Sequence, residues 1–92
     1  MKIYQSRSFQ NKVKRLSKQE KKILDQEIEK IADDPSIGDQ KKGDLSKVFV
    51  YKFKINVTQY LLAYRILGED LELLMIGPHE NYHRDLKNYL KK

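Results

Sequence analysis

Five residues of this sequence have side chains whose type and spacing could support catalysis. They are two lysines, one arginine and two histidines. Lys52 and Lys54 are two residues apart, so on a β-strand both ammonium groups would project from one face, where they repel unless they are solvated or face an anion. Arg65 follows in the next alternating segment, and His79 and His83 lie one helical turn apart. Cations beside a histidine can hold an anion and move a proton near neutral pH.

The two histidines also belong to a zinc-protease pattern, because His79–His83 reads H-E-x-x-H. In that pattern the histidines share a zinc ion and the glutamate acts as general base, but zinc also needs a third protein ligand. The sequence has no further histidine and no cysteine, and Gly77–Pro78 stands directly before the pattern. We therefore predict no metal site and no other cofactor.

The N-terminal part predicts a short edge strand, Lys2–Tyr4, followed by a helical hairpin. Helical spacing in the first helix gives an apolar stripe of Phe9, Val13 and Leu16. Ser17 and Glu20 form a predicted capping box at the start of the second helix, which should end before Asp34–Pro35. The second stripe consists of Ile23, Leu24, Ile28 and Ile31.

The remainder of the chain predicts three strands and a last helix. Residues 48–55 alternate, with Phe49, Tyr51, Phe53 and Ile55 on one face and Val50, Lys52 and Lys54 on the other, which should be the solvent face. Gln59–Leu67 and Leu71–Ile76 continue the sheet through short turns, which imply antiparallel neighbours. The stripe of the last helix is Tyr82, Leu86, Tyr89 and Leu90. The predicted fold is α+β in the order βααβββα, an antiparallel twisted sheet packed on the helical hairpin with a short C-terminal helix.

Length and composition restrict the class of protein further. The 92 residues predict one domain, residues 1–92, and the absence of cysteine excludes disulfides. Lysine and arginine number 19 against 13 acidic residues, a net charge of +6 that favours a polyanionic partner. No apolar run approaches the roughly 20 residues of a membrane span, so we predict a cytoplasmic protein without a membrane partner.

Several local sequences, in this order, resemble the RelE/ParE superfamily of bacterial type II toxins over essentially the whole chain. They are Asp34–Pro35, Lys41–Leu45 leading into Tyr51–Ile55, Tyr60–Arg65, and Ile76–His79. The resemblance implies a cognate antitoxin as partner. It also implies one of two targets, because RelE-like toxins cleave mRNA in the ribosomal A site, whereas ParE-like toxins of the same fold poison DNA gyrase.

Residue roles follow from the RelE-like branch of the resemblance. Lys52 and Lys54 match the two lysines that serve as base and charge stabiliser, and His79 matches the position of a catalytic histidine in some members. Leu61 stands where RelE has an arginine, and the C-terminal tyrosine of RelE has no clear counterpart in this sequence. The ending His83–Asp85 resembles that of gyrase-directed members.

The chemistry that these residues could perform is RNA cleavage by attack of a 2′-hydroxyl on the adjacent phosphate, which needs a base, an acid and cations but no metal. We take Lys52, Lys54 and His79 as the catalytic candidates. The candidates for substrate binding are Arg65, His83 and Arg84. The prediction is a ribosome-dependent mRNA endoribonuclease, with a DNA gyrase inhibitor or a non-catalytic relative that only binds its antitoxin as alternatives.

Overall fold

A five-stranded sheet and two N-terminal helices form the fold of the computed structural model, which describes residues 2–41, 47–79, 86, 87 and 90. The elements are β1 (Ile3–Gln5), α1 (Arg7–Val13), α2 (Lys18–Asp33), a 3-10 turn (Pro35–Ile37), β2 (Asp39–Gln40), β3 (Phe49–Ile55), β4 (Thr58–Leu67) and β5 (Asp70–Pro78). The predicted α+β class is confirmed. The two-residue strand β2 is an addition that the sequence did not predict.

The strand order is β1-β5-β4-β3-β2, and β3, β4 and β5 are antiparallel neighbours as predicted. The edge strand β1 differs, because it pairs with β5 in parallel, with Ile3 opposite Leu71 and Gln5 opposite Leu73. This corrects the expectation of an antiparallel sheet throughout. Parallel neighbours need a long connection, and the segment between β1 and β5 contains the helical hairpin, β2, β3 and β4.

Hydrogen bonds at both helix starts explain where the helices begin. Ser17 Oγ accepts the N–H of Glu20 at 3.1 Å while a Glu20 carboxylate oxygen accepts the N–H of Ser17 at 2.8 Å, which confirms the capping box. Ser6 caps α1 by accepting the N–H of Phe9 at 3.0 Å, and its hydroxyl donates to the carbonyl oxygen of Leu74. The start of α1 is therefore tied directly to β5.

Hydrophobic packing occurs on both faces of the sheet. The face covered by α1 and α2, called the hairpin face, holds the buried side chains of Phe9, Leu24, Ile31, Phe53, Ile55, Leu62, Tyr64, Leu71, Leu73 and Ile76. The opposite face holds a second cluster of Val48, Val50, Leu61, Ala63, Leu74, Met75 and Leu86. The prediction of a solvent face on β3 is therefore correct for Lys52 and Lys54 but wrong for Val50, since Leu86 helps to cover it.

A β-bulge in β5 lets both faces receive apolar side chains. Ala63 pairs with Met75 and the next residue, Tyr64, pairs with Leu73, so Leu74 is the extra residue of β5. An extra residue reverses the alternation of side chains on either side of it. Leu73 on one side of the bulge and Ile76 on the other thus both contribute to the core on the hairpin face.

Of the predicted C-terminal helix, the structure describes Leu86, Lys87 and Leu90, all in helical conformation. Leu86 is fully buried and Leu90 packs against the second cluster, while Tyr82 and Tyr89 lie outside the described residues. Within the described part of the chain, no helix is both long enough and apolar enough to cross a membrane.

Candidate active site

Lys52 and Lys54 lie on β3 with exposed side chains on the face opposite the helical hairpin. Their Cα atoms are about 7 Å apart along the strand, since each residue of an antiparallel strand advances the chain by about 3.4 Å. Their cross-strand partners on β4 are Leu61 for Lys52 and Gln59 for Lys54. Gln59 is exposed, so a polar amide side chain is the cross-strand neighbour of Lys54 at the end of the sheet.

His79, which directly follows β5, lies at the same level of the sheet as Lys54 and Gln59. Its backbone N–H donates to the carbonyl oxygen of Gln59 at 3.1 Å, which continues the register in which Tyr60 pairs with Pro78. Lys54, Gln59 and His79 therefore form one row across β3, β4 and the end of β5, about 10 Å wide at roughly 4.8 Å per strand. We call Lys52, Lys54, Gln59 and His79 the lysine–histidine site.

We infer from strand alternation that the exposed side chain of His79 lies on the same face as the lysines. Pro78 is the partner of Tyr60, whose ring packs on the hairpin face, and side chains alternate along a strand. The residue after Pro78 accordingly belongs to the opposite face, which is the face of Lys54.

The tight turn between β3 and β4 sets the register of the site. Ile55 pairs with Thr58, which leaves Asn56 and Val57 as a two-residue turn. Asn56 has a φ of 57°, a left-handed conformation that asparagine tolerates better than most residues. Gln59 was not among the predicted site residues, because the sequence predicts a tight turn over Asn56, Val57 and Thr58, whereas the observed two-residue turn places Gln59 opposite Lys54.

Among the described residues, no acidic side chain forms an ion pair with the lysines of the lysine–histidine site. The ion pairs in that part of the chain are Lys30 with Glu27 and Arg65 with Glu72. Like charges on one strand face repel unless they face an anion. The arrangement can therefore hold a phosphate between two ammonium groups, with an imidazole and an amide at the same level.

Arg65 shares the sheet face of the lysines but lies toward the other end of β4. It is four residues beyond Leu61, the partner of Lys52, which corresponds to about 13 Å along a strand. Arg65 pairs with Glu72 in the sheet, and its Nε atom lies 3.7 Å from a Glu72 carboxylate oxygen. The structure thus brings Lys52, Lys54 and His79 together and leaves Arg65 apart from them.

Three of the predicted positions fall where the structure gives no description. Glu80 of the H-E-x-x-H pattern and the candidates His83 and Arg84 all lie outside the described residues. Within the described part of the chain, no group of three or more histidine, cysteine, aspartate or glutamate side chains is placed to hold a metal ion.

Two tyrosines on the hairpin face, Tyr51 and Tyr64, anchor the strands that contain the site residues. The Tyr51 hydroxyl donates to a Glu27 carboxylate oxygen at 2.7 Å and so joins β3 to α2. Burial raises the pKa of Tyr51 to about 12, and the hydrogen bond to Glu27 and its negative charge act in the same direction. The hydroxyl of Tyr64 on β4 donates to the Pro35 carbonyl oxygen and accepts the Gly38 N–H at 3.0 Å.

Solved structures of RelE toxins share the fold of this chain. The chain is similar to RelE in the crystal structure of the intact Escherichia coli RelBE toxin–antitoxin complex, with a TM-score of 0.68, 16% identity, and coverage of 86% of this chain and 96% of that chain. A double mutant of E. coli RelE in the free state gives a TM-score of 0.70 at 16% identity, with coverage of 95% of each chain. A conserved hypothetical protein from Helicobacter pylori gives a TM-score of 0.53 at 21% identity, with coverage of 86% of this chain and 94% of that chain.

Sequence comparison identifies the family. The family model of ParE-like toxins of type II bacterial toxin–antitoxin systems matches residues 3–87. The chain therefore belongs to the ParE-like toxin family, which confirms the predicted resemblance to the RelE/ParE superfamily. No curated protein matches the sequence significantly.

Proposed function

We propose that this toxin is a RelE-like, ribosome-dependent endoribonuclease that cleaves mRNA without a metal ion. The observation that carries the proposal is the lysine–histidine site, in which Lys52, Lys54 and His79 occupy one end of the sheet without an acidic partner among the described residues. Attack of a 2′-hydroxyl on the adjacent phosphate needs cations that stabilise the developing negative charge and a group that transfers protons. The lysines and the histidine are side chains of these two kinds.

In the proposed reaction the 2′-oxygen of one nucleotide forms a bond to the adjacent phosphorus and the bond from phosphorus to the 5′-oxygen breaks. The products are a 2′,3′-cyclic phosphate and a 5′-hydroxyl. One lysine of the pair stabilises the charge that develops on the phosphorane oxygens. The other lysine and His79 divide the two proton transfers, from the 2′-hydroxyl and to the 5′-oxygen.

Arg65 has no part in this proposed step. Its distance from the lysines, about 13 Å of strand, and its pairing with Glu72 favour a role in the sheet instead. The roles of His83 and Arg84 as additional phosphate-binding residues remain proposals from the family resemblance.

The proposed partner is a cognate antitoxin. E. coli RelE, which has the same fold, occurs in a complex with its antitoxin, and membership of a type II toxin family implies such a partner. The net charge of +6 suits both an acidic antitoxin segment and RNA, so charge alone does not separate the two ligands.

Brief induction from a tightly repressed promoter tests the proposal, with incorporation of labelled methionine and labelled thymidine followed in parallel. We expect methionine incorporation to fall first, with new mRNA ends mapped inside coding regions by primer extension. An early fall of thymidine incorporation with intact mRNA would contradict the proposal.

The second candidate function is inhibition of DNA gyrase, which the matching ParE-like family favours. Under this alternative, Lys52→Ala/Lys54→Ala would remain toxic and purified toxin would inhibit supercoiling of relaxed plasmid by gyrase. If the protein is instead a non-catalytic relative that only binds its antitoxin, the wild-type protein is not toxic and the double substitution abolishes antitoxin binding.

A further inference from the structure

A cleft of about 240 Å³ opens on the hairpin face, at the same end of the sheet as the lysine–histidine site. The side chains that define it, called the Tyr60 cleft here, include Lys12, Arg15, Leu16, Glu20, Tyr60 and Pro78. The cleft lies between the end of α1 and the paired residues Tyr60 and Pro78. Gln59 and His79 are the next residues along the same two strands, so the cleft and the lysine–histidine site meet at one edge from opposite faces.

Positive charge dominates the rim of the Tyr60 cleft. Lys12 and Arg15 are exposed, and neither belongs to an ion pair among the residues that the structure describes. The acid at the rim is Glu20, one of whose carboxylate oxygens accepts the N–H of Ser17 in the capping box at 2.8 Å. That bond holds Glu20 at the start of α2, so the cations remain available to an anion.

The walls of the Tyr60 cleft are apolar and include one aromatic ring. Tyr60 is half-buried, and its ring stacks on Phe53 with centroids 6.1 Å apart and an angle of 23° between the planes. Leu16 and Pro78 supply further apolar surface. An aromatic surface beside cations is the combination that binds a single-stranded nucleotide, because the base stacks and the phosphate pairs.

We propose that the Tyr60 cleft binds one nucleotide of the RNA strand at a position flanking the phosphate that is cleaved. The base lies against Tyr60 and Pro78, and Lys12 and Arg15 contact the phosphate. The strand passes over the end of the sheet, beside the turn at Asn56 and Val57, to reach Lys52 and Lys54 on the other face. This inference rests on the proposed endoribonuclease function for its ligand.

The test measures binding of a fluorescein-labelled single-stranded hexanucleotide with 2′-O-methyl groups throughout, which lacks the attacking hydroxyl and stays intact. Lys12→Ala/Arg15→Ala should weaken binding roughly tenfold and lower the salt dependence by about 0.7, the value for one neutralised phosphate of a single strand. The matched control is Lys14→Ala/Lys22→Ala, which removes the same charge from exposed positions outside the cleft. The control should leave the salt dependence unchanged.

A second pair of variants examines the base contact. Tyr60→Ala should weaken binding by roughly 5- to 150-fold, the range measured for loss of base stacking on one aromatic ring, and Tyr60→Phe should restore it. Equal losses in the cleft variant and the lysine control would mean general electrostatic attraction and would overturn the inference. Equal or greater losses with duplex DNA of the same length would overturn the assignment to single-stranded RNA.

Different experimental results would contradict the inference about the Tyr60 cleft and the proposed endoribonuclease function. If wild-type toxin cleaves mRNA on ribosomes and Lys12→Ala/Arg15→Ala cleaves it with the same KM, the cleft inference is wrong and the endoribonuclease stands. If the hexanucleotide binds through Lys12 and Arg15 but the wild-type protein causes no cleavage, the endoribonuclease is wrong and a nucleotide-binding cleft stands.

Discussion

Lys54 and His79 lie at one level of the sheet although they belong to different strands, because Gln59 pairs with the first and accepts the backbone N–H of the second at 3.1 Å. This row depends on two registers at once, that of the hairpin between β3 and β4 and that between β4 and β5. A shift of either register by one residue would move a side chain to the other face of the sheet.

Replacement of Lys54 by alanine should reduce mRNA cleavage on ribosomes by roughly 100- to 1,000-fold, as expected when a group that stabilises transition-state charge is removed. The free energy of unfolding should change by less than about 0.5 kcal/mol, because the side chain is exposed. Primer extension gives the cleavage rate and urea unfolding gives the stability. Lys22→Ala, exposed on α2, is the control and should cleave normally.

His79→Ala should lower the cleavage rate by roughly 100- to 10,000-fold, the usual contribution of a general acid or base, and should flatten the pH dependence of the rate. Single-turnover cleavage between pH 5.5 and 8.5 is the measurement. A variant that retained both the rate and the pH profile would exclude His79 from proton transfer.

Arg65→Ala should affect cleavage far less than Lys54→Ala, since Arg65 is separated from the lysines by about 13 Å of strand. Its cost in stability should be at most about 1 kcal/mol, because a partly exposed ion pair at 3.7 Å contributes little and Arg65 Nε makes no hydrogen bond. The two activities should be compared at equal folded fraction. A loss of cleavage equal to that of Lys54→Ala would place Arg65 in the substrate site.

Tyr64→Phe should destabilise the fold by about 1 to 3 kcal/mol, because it leaves the Gly38 N–H and the Pro35 carbonyl without their partner. Gly38→Ala should also destabilise it, since an added Cβ would lie 2.5 Å from the Tyr64 hydroxyl oxygen. The double variant Gly38→Ala/Tyr64→Phe should lose less stability than the sum of the two single losses, because removal of the hydroxyl relieves the clash. Strict additivity in urea unfolding would contradict the contact.

Alkaline pH should destabilise the protein through Tyr51. Burial, together with the hydrogen bond to Glu27, raises the pKa of Tyr51 from 10.0 to about 12, so the unfolded chain ionises first. The folded state then binds more protons than the unfolded state, and the stability that is present below pH 10 decreases as pH rises from 10 toward 12. Tyr51→Phe should flatten the decrease of urea midpoint over this range.

Much of the local structure was predictable from the sequence because it depends on residues a few positions apart. Ser17 and Glu20 specify the start of α2 by capping each other, and Pro35 limits its end. The alternation of residues 49–55 placed Lys52 and Lys54 together on the exposed side of β3. These features need no knowledge of the remainder of the chain.

Only the tertiary structure decided the features that depend on contacts between distant segments. The parallel pairing of β1, the bulge at Leu74 and the burial of Val50 by the second cluster each arise from competition among many strand registers for apolar contact. The same holds for the approach of His79 to Gln59 and for the separation of Arg65 from the lysines. The sequence by itself determined which side chains are present and which of them share a strand face, whereas long-range pairing of the strands determined which of those side chains meet.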